Sequence, residues 1–287
     1  MMKRQLAQVT PDFLKPALKK IYHFLKKLYY VLMDPYDRVK GRDSMIPPRS
    51  MIFIGNGDFK STGQEFKRYF IDLAKIQPGD RVLDVGCGIG RMAIPLTEYL
   101  SKEGEYWGFD IVKTGIEWCC RRISPKFKNF HFQHTDVTNK TYNKNGHIQA
   151  KDFRFPFEDN SFDFVFLTSV FTHMFPADME HYLSEIARVL KKGGRCLVTY
   201  FLLNEESIRL MHAGRSTLDF KYEIDGCLTI DKNNPEFAIA YKEDYVKRLF
   251  GSFTLKIIEP INYGSWCKRD TFLSFQDIIV ATKDHSN

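Results

Sequence analysis

The residues best suited to do chemistry stand in one short run early in the chain. Residues 84–90 read Asp-Val-Gly-Cys-Gly-Ile-Gly, so an acidic side chain precedes three glycines that alternate with other residues. Glycine adopts positive φ readily and has no Cβ, so a ligand can approach its backbone closely. A strand-like run at 81–85 comes before this loop and a helix-like run follows it. In open α/β sheets, ligands bind at such a place, at the carboxyl end of a strand beside a helix N-terminus.

The spacing of the glycines separates two classes of cofactor. A dinucleotide fingerprint requires G-x-G-x-x-G or a final alanine. Counted from Gly86, the last of those positions is Arg91, so the chain departs from that fingerprint. Two further carboxylates follow strand-like runs, Asp110 after residues 105–109 and Asp136 after residues 130–134.

Taken in order, these residues resemble the class I S-adenosylmethionine (SAM)-dependent methyltransferases, in particular their type 11 group. Residues 84–90 match the first motif of that family at every defining position. Asp110 stands where the family places the carboxylate that binds the ribose hydroxyls, and Asp136 where its acidic residue meets the adenine amino group. Residues 157–165 resemble the approach to the fourth strand, and residues 188–195 resemble the helix, glycine turn and fifth strand that follow.

The resemblance implies SAM as the cofactor and covers roughly residues 60–201. An insertion after Asp136 brings a second candidate for the adenine contact, Asp152, and Asp136 is preferred because it directly follows a strand. In this interpretation Ile111 packs against the adenine. The cofactor-binding residues that the resemblance implies are Asp84, Gly86, Cys87, Gly88, Gly90, Arg91, Asp110, Ile111, Asp136, Val137 and Thr168.

The implied reaction is an in-line displacement at the sulfonium methyl group. Residues 167–174, at the end of the predicted fourth strand, point at that methyl group in this fold. His173 is the first candidate for a catalytic base, because an imidazole with a pKa near 6.5 accepts a proton at neutral pH. A structural or positioning role is its alternative. Tyr200 is the second catalytic candidate, and its alternative is a buried hydroxyl that bonds to backbone.

Three aromatic residues in the last third of the chain are candidates for contact with the methyl acceptor. They are Tyr222, Tyr263 and Trp266. Trp266 lines the acceptor pocket in one interpretation and belongs to a surface hairpin in the other. Members of the family that act on catechols bind a divalent metal through acidic residues after the fourth strand. None stand there in this chain, so we expect no metal.

The elements that must position these residues alternate between strands and helices. This alternation predicts an α/β fold with a mostly parallel sheet and helices on both faces. The resemblance implies that this is the Rossmann-like class I methyltransferase fold, with a seven-stranded sheet. Residues 202–250 interrupt the alternation and predict an insertion before the last two strands. The predicted strands are 81–85, 105–110, 130–134, 162–168, 195–201, 254–259 and 272–281. The predicted helices are 64–75, 90–101, 113–122 and 177–190.

The N-terminal part of the chain differs from the rest in charge. Residues 1–42 hold ten Lys/Arg and three Asp, which accounts for the whole net charge of +7. From Pro11 to Met33, apolar residues recur at spacings of three and four, and lysines lie between them. This predicts a basic amphipathic helix that ends at Asp34-Pro35, because the residue before a proline is disfavoured in the α region. We therefore divide the chain at residue 59, into a helix with its connector and a methyltransferase domain at 60–287. For residues 1–59 three roles remain open: a lid over the site, a helix packed on the domain, or contact with a membrane or a partner.

Composition and cysteine usage narrow the class of protein further. With 44% hydrophobic and 27% charged residues, the chain is neither disordered nor collagen-like. Its six cysteines form no CxxC pair, which favours reduced thiols and a cytoplasmic protein, with membrane association left open. We expect methyl transfer to a small-molecule or glycosidic acceptor, with oxygen as the favoured acceptor atom. Lipid or quinone, RNA or protein acceptors and non-catalytic SAM binding remain alternatives. Nucleic acid is not expected as a partner, because residues 43–287 carry no net charge, and the oligomeric state is not determined.

Overall fold

The computed structural model describes residues 15–55 and 57–284. The chain divides into two compact units, residues 1–56 and 57–287. In the first unit, helix α1 (Lys15–Val39) is followed by a short 3₁₀ turn at Arg49–Met51. The second unit holds the large sheet, its helices and a smaller second sheet.

The predicted end of helix α1 at Asp34-Pro35 is wrong. The helix continues to Val39. Pro35 has no N–H, so the helix loses one hydrogen bond there. Contacts within the same unit offset that loss: the carboxylate of Asp34 accepts from the backbone N–H of Arg49 at 2.7 Å. Asp37 pairs with Arg42 at 2.7 Å and with Arg49 at 2.6 Å. The predicted helical residues 11–14 lie outside the described part of the chain.

The large sheet confirms the predicted α/β fold. Its strand order is β10-β11-β5-β4-β1-β2-β3. Strands β1 to β5 pair in parallel, whereas β11 is antiparallel to both β5 and β10. The seven strands are β1 (Arg81–Val85), β2 (Glu105–Asp110), β3 (Phe130–His134), β4 (Phe162–Leu167), β5 (Leu190–Tyr200), β10 (Leu255–Ile257) and β11 (Asp277–Lys283).

Strand β4 shows that helices cover both faces of this sheet. Its side chains alternate between the faces, as strand geometry requires. Phe164 and Phe166 contact Phe70 of helix α2 (Phe59–Asp72), with ring centroids 5.4 and 4.3 Å away. Val165 and Leu167 belong to the opposite core, together with the buried face of helix α5 (Pro176–Val189). Burial on both faces explains why β4 is almost continuously apolar.

The remaining helices of the large unit are short. They are α3 (Ala93–Leu96), α4 (Lys113–Arg122), α6 (Glu205–His212) and α7 (Glu243–Ser252). Helix α3 is much shorter than the predicted 90–101. Pro95 lies inside it and has no N–H to donate to the carbonyl of Arg91, which disfavours an earlier start of the helix.

The predicted insertion contains a second, four-stranded sheet of order β6-β9-β8-β7. Its strands are β6 (Leu202–Leu203), β7 (Tyr222–Ile224), β8 (Cys227–Thr229) and β9 (Ile239–Lys242). Several strand limits in the large sheet also differ from prediction, and two strand starts differ by five residues. Strand β5 begins at Leu190, because a register shift opposite β4 accommodates the glycine turn. Strand β11 begins only at Asp277, since the residues before it bond to the segment at 264–266.

The strand order fixes where a ligand can bind. From β1 the chain builds outward to β2 and β3, and it then crosses to β4 on the other side of β1. The carboxyl ends of β1 and β4 therefore flank the point at which the strand order reverses. Crevices at such points are the usual ligand sites of open α/β sheets.

Candidate functional site

The glycine loop after β1 has the backbone conformation that its sequence predicts. Gly86, Gly88 and Gly90 have φ values of 83°, 59° and 82°, in the left-handed region that favours glycine. The N–H groups of Gly86 and Cys87 donate to the carbonyl of Phe109 at 2.9 and 3.0 Å. These bonds hold the loop against the end of β2.

Asp110, at the end of β2, fastens the loop from the other side. Its Oδ2 accepts from the backbone N–H of Gly88 at 2.8 Å, and its Oδ1 accepts from that of Val112 at 2.7 Å. Burial raises the pKa of Asp110, and the two N–H donors oppose that rise. A carboxylate has about four lone-pair positions. Two therefore remain for hydroxyl donors of a ligand.

Asp84 is fully buried beneath the loop, and one of its oxygens is unsatisfied. Its Oδ2 accepts from the hydroxyl of Tyr106 at 2.6 Å, whereas its Oδ1 has no hydrogen-bond partner within the described residues. Burial raises the pKa of Asp84 to about 8, although the Tyr106 hydrogen bond acts against this. Sequence reasoning missed Tyr106, and nothing in a single sequence pairs it with a residue 22 positions away.

The other predicted loop residues divide between backbone and side-chain roles. Cys87 packs against Gly108, where an added Cβ would lie 2.9 Å from the Cβ of Cys87. Burial raises the pKa of the Cys87 thiol well above its usual range, so the loop offers the backbone of this residue and not a thiolate. Arg91 is partly buried, its Nε has no partner among the described residues, and burial lowers its pKa.

The segment after β4 packs directly on the glycine loop. A Cβ on Gly86 would lie 2.5 Å from Cγ2 of Val170, so only glycine fits there. Thr168 is partly buried at the start of this segment. Ser169 has a φ of 63°, and its N–H donates to Oγ1 of Thr199 at 2.7 Å. The adjoining 3₁₀ turn, Phe171–His173, carries the predicted base.

The surroundings of His173 fix which of its nitrogens carries the proton. Its Nδ1 lies 2.8 Å from the backbone carbonyl oxygen of Glu236, in the insertion. A carbonyl oxygen only accepts, so Nδ1 donates, and in the neutral ring Nε2 has the free lone pair. Burial lowers the pKa of His173, which favours the neutral ring. The ring of Tyr142 lies edge-on, with its centroid 6.0 Å away.

Glu236 also connects the two insertions around His173. Its carboxylate Oε2 accepts from the backbone N–H of Lys140 at 3.1 Å, while its carbonyl holds the imidazole. The insertion after β3 and the insertion before the last strands thus meet at this histidine. The sequence singled out neither Glu236 nor Tyr142, because each depends on a long-range contact.

The two candidates for an adenine contact lie in different environments. Asp136 follows β3, whose last residue pairs with Asp110, and the N–H of Thr135 donates to the Asp110 carbonyl at 3.0 Å. The carboxylate of Asp136 is half exposed and lies 2.6 Å from Nδ1 of His147, which lowers its pKa. Asp152 is exposed in a 3₁₀ turn at 150–152.

The hydrophobic residues that flank these carboxylates are at least partly buried. Ile111 is partly buried and packs against the main core, of which Val137 is a member. The binding roles of both residues stay predictions.

The structure places Tyr200 in the core. Its ring is fully buried, with ring centroids of Phe171 and Tyr241 at 5.3 and 6.1 Å. Its hydroxyl has no partner among the residues that the structure describes, so the alternative of a bond to backbone is not observed either. Its catalytic role stays a prediction.

The three predicted acceptor residues do not lie in one environment. Tyr222 is exposed on β7. The hydroxyl of Tyr263 lies 3.0 Å from Oε2 of Glu243. Trp266 is fully buried and donates from Nε1 to Oδ2 of Asp277 at 2.7 Å, so it belongs to no surface hairpin. Their contact with an acceptor stays a prediction, and only Tyr222 is freely accessible.

Comparison with known proteins agrees with this geometry. Residues 76–250, more than half of the chain, match the family model of a methyltransferase domain. A ubiquinone/menaquinone biosynthesis C-methyltransferase from Xanthomonas oryzae pv. oryzae is 31% identical over 146 residues, which are 50% of this chain and 52% of that protein. Phosphoethanolamine N-methyltransferase 3 from Arabidopsis thaliana is 27% identical over 170 residues, 57% of this chain and 29% of that protein. The chain thus spans about half or less of the length of these two relatives.

Solved structures show the same fold at low sequence identity. A protein from Pyrococcus horikoshii OT3 superposes with a TM-score of 0.55 and 17% identity, covering 87% of this chain and 99% of its own. The magnesium protoporphyrin IX methyltransferase from Synechocystis PCC 6803, solved with bound SAH, gives a TM-score of 0.50 and 15% identity, covering 90% of this chain and 100% of its own. With the glycine loop and its two carboxylates in place, the chain therefore belongs to the methyltransferase-domain family, and it shares the fold of these solved structures.

Proposed function

We propose that this enzyme methylates a small organic acceptor that must lose a proton as it reacts, with a hydroxyl oxygen as the favoured acceptor atom. The observation that carries the proposal is the orientation of His173. Its Nδ1 is occupied by the Glu236 carbonyl at 2.8 Å, which leaves the lone pair of Nε2 free to accept a proton. An amine with a free lone pair needs no such base, whereas a hydroxyl does.

The residues around the glycine loop fit SAM. Val170 packs so closely on Gly86 that there is no room for a side chain between them. Asp110 keeps lone pairs for the two ribose hydroxyls, and charge-assisted bonds of this kind are about twice as strong as neutral ones. Oδ1 of Asp84 has no partner among the described residues, and a cationic ligand bound nearby would favour the ionised form of this carboxyl group. When bound, SAM supplies an activated methyl group.

The protein's own part in the reaction is then alignment, exclusion of water and one proton transfer. The turn at 171–173, which carries the imidazole, follows directly on Val170, the residue that packs on Gly86 of the loop. Alignment of two reactants is worth several kcal/mol of barrier in favourable cases, about 7–11 kcal/mol at most. Proton removal by a positioned base contributes roughly 10²–10⁴-fold more.

The same base would also serve a ring carbon that a hydroxyl activates. The quinone-biosynthesis relative is named a C-methyltransferase, and it is 31% identical over the matched half of this chain. That similarity favours a hydroxylated aromatic acceptor as the second candidate. Nucleic acid is a weaker candidate, because residues 43–287 carry no net positive charge to contact phosphates.

The test is methyl transfer from labelled SAM into a fractionated cell extract, by the wild type and by His173→Gln. We expect a labelled methyl ether, and a fall in the rate of transfer of roughly 10²-fold or more for the variant. SAM affinity should stay within about twofold, since His173 acts on the acceptor and not on the cofactor. NMR of the product distinguishes a methyl on oxygen from one on carbon.

Two outcomes would contradict the proposal. One is a product methylated on an amine nitrogen. The other is a His173→Gln enzyme that keeps the wild-type rate at saturating substrate. A further check is the pH profile: because burial lowers the pKa of His173, the acid limb of the wild-type profile should fall below pH 6.5.

A further inference from the structure

Helix α1 has a broad apolar face that the structure leaves exposed. Phe24 is 68% exposed, Leu32 67% and Val39 87%. At 100° per residue, the exposed hydrophobic positions cover an arc of about 160° around the helix. These positions are Ile21, Phe24, Leu25, Leu28, Tyr29, Val31, Leu32, Tyr36 and Val39. An exposed apolar face with nine large hydrophobic side chains indicates a site of interaction with a protein or a membrane.

Most of the charged residues of this unit are basic. Residues 1–42 carry ten Lys/Arg and three Asp, and five of the lysines (Lys15, Lys19, Lys20, Lys26, Lys27) fall between the apolar positions. The two acidic residues within the described helix are already engaged. Asp37 pairs with Arg42 and Arg49, and Asp34 binds the backbone of the turn at 49–51. The unit therefore presents a large apolar face with surplus positive charge.

From these observations we propose that helix α1 lies on an anionic lipid bilayer, with its apolar face in the interface and its lysines at the phosphate headgroups. An apolar face with a basic opposite side is typical of helices that lie in the interface plane. Within the described residues, no helix is long and apolar enough to span a membrane. At 1.5 Å per residue, its 25 residues extend roughly 37 Å along the surface.

The width of the face favours a bilayer over a protein groove. A helix that docks in a groove is anchored by residues at i, i+3, i+4 and i+7, which form a narrower stripe. Here the apolar arc is about 160° wide, and an interface plane can cover all of it. Opposite charge adds to this, because each Lys or Arg near an anionic surface strengthens binding.

The experiment is co-sedimentation of the full-length protein with vesicles of phosphatidylcholine, with or without phosphatidylglycerol. We expect binding to the anionic vesicles that is about tenfold or more stronger than binding to neutral ones, and that weakens as salt is raised above about 0.1 M. The double variant Phe24→Glu/Leu28→Glu should reduce vesicle binding about tenfold or more. The matched control is Phe272→Glu, an equally large side chain that is 56% exposed in the other unit, and it should bind as the wild type does.

A second variant keeps the apolar face and removes charge, so it does not depend on how the first one folds. Lys19→Gln/Lys20→Gln/Lys26→Gln should lose binding to anionic vesicles and keep any weak binding to neutral ones. Glutamate and glutamine are both good helix formers, so each variant keeps a helix-compatible sequence.

Three results would overturn the proposal. The wild type fails to bind anionic vesicles; or Phe272→Glu loses as much binding as the helix variant; or the wild type is a dimer in solution that Phe24→Glu/Leu28→Glu makes monomeric while vesicles bind neither form. The inference goes beyond the proposed function, because it concerns where the enzyme is bound and not what it methylates. SAM titration of the same variants keeps the two apart, and SAM affinity should be unchanged.

Discussion

Two fully buried carboxylates, Asp84 in β1 and Asp277 in β11, show opposite ways of burying a charge. Asp277 accepts from the N–H groups of Leu202 and Gly264 and from Trp266 Nε1, each at 2.7 Å, and it pairs with Arg269 at 3.1 Å. Asp84 accepts only from Tyr106, and its second oxygen has no partner in the described part of the chain.

The difference appears in their pKa values. Burial is the first cause of a raised pKa in both, but Asp277 rises only to about 6, since Arg269 and the N–H donors favour its ionised form. Asp84 rises to about 8. At neutral pH, Asp277 is mostly ionised and Asp84 is mostly protonated. The surroundings of Asp277 are complete without a ligand, whereas those of Asp84 are not. Residues that break the local rules of burial are most often functional.

The largest effect on stability that we expect comes from removing the carboxylate of Asp277, whose oxygens are fully hydrogen-bonded. Asp277→Ala leaves three N–H donors without their acceptor, and it removes the buried one of the two carboxylates that pair with Arg269. Removing one partner of a buried ion pair typically costs about 3–5 kcal/mol. The free energy of unfolding, measured by urea denaturation, should fall by roughly that amount.

The matched control for this variant is Asp270→Ala. Asp270 pairs with Arg215 at 3.2 Å, but its side chain is 91% exposed, so the pair is worth about 0–1 kcal/mol. Equal losses for the two variants would show that the Asp277 cluster is not the structural support that its contacts imply.

Substitution of Asp84, whose Oδ1 has no partner among the described residues, should instead raise the free energy of unfolding. The size of this gain depends on pH. Because folding raises the pKa of Asp84 above its unfolded value of 3.8, this group favours folding most below about pH 4, and that contribution is lost as the pH rises through about 8. Asp84→Asn does not titrate. Relative to the wild type, the ligand-free variant should therefore gain stability between pH 5 and pH 8, by up to about 3 kcal/mol.

The same substitution should weaken SAM binding about tenfold or more, because a bound cation favours the ionised form of Asp84, which asparagine does not have. Thermal denaturation across the pH range, with Asp270→Asn as the control, measures the first effect, and isothermal titration measures the second. A stability difference that stays constant with pH would contradict the assigned environment of Asp84.

The sequence predicted the cofactor half of the site better than the acceptor half, for a physical reason. The glycine loop and Asp110 lie at the ends of consecutive strands, so strand periodicity and parallel pairing already bring them together. Strands β1 and β2 begin and end where the pattern predicts. These features depend on local sequence and on one general rule of sheet topology.

The acceptor half depends on contacts between distant segments. The carbonyl that orients His173 lies 63 residues further along the chain, and no local pattern announces a backbone carbonyl as a partner. Trp266 looked like a pocket residue or a hairpin residue, and only its bond to Asp277 explains its burial. The continuation of α1 through Pro35 likewise depends on Asp34 meeting the turn at 49–51, which a propensity rule cannot include.

The smallest effect that we expect is on SAM affinity and comes from Asp136, a half-exposed carboxylate that already pairs with His147. Asp136 is half exposed and bound to His147, so it can add only a solvent-accessible hydrogen bond to the adenine amino group. Such a bond is worth about 0.5–1.5 kcal/mol. Asp136→Ala should therefore weaken SAM binding by roughly 2- to 10-fold, and Asp152→Ala by less than about twofold.

The amino group itself provides the sharper test of Asp136. S-inosylhomocysteine has a carbonyl oxygen where S-adenosylhomocysteine has the adenine amino group. The affinities of both ligands are measured for the wild type and for Asp136→Ala. The substitution should weaken binding of S-adenosylhomocysteine and should not weaken binding of S-inosylhomocysteine. A carboxylate facing the carbonyl repels it, so the inosyl ligand could even bind the variant more tightly. If the substitution weakened both ligands equally, Asp136 would act through the fold of the loop at 138–149 and not through the adenine. If Asp152→Ala gave the selective loss instead, the adenine contact would belong to the insertion and not to the end of β3.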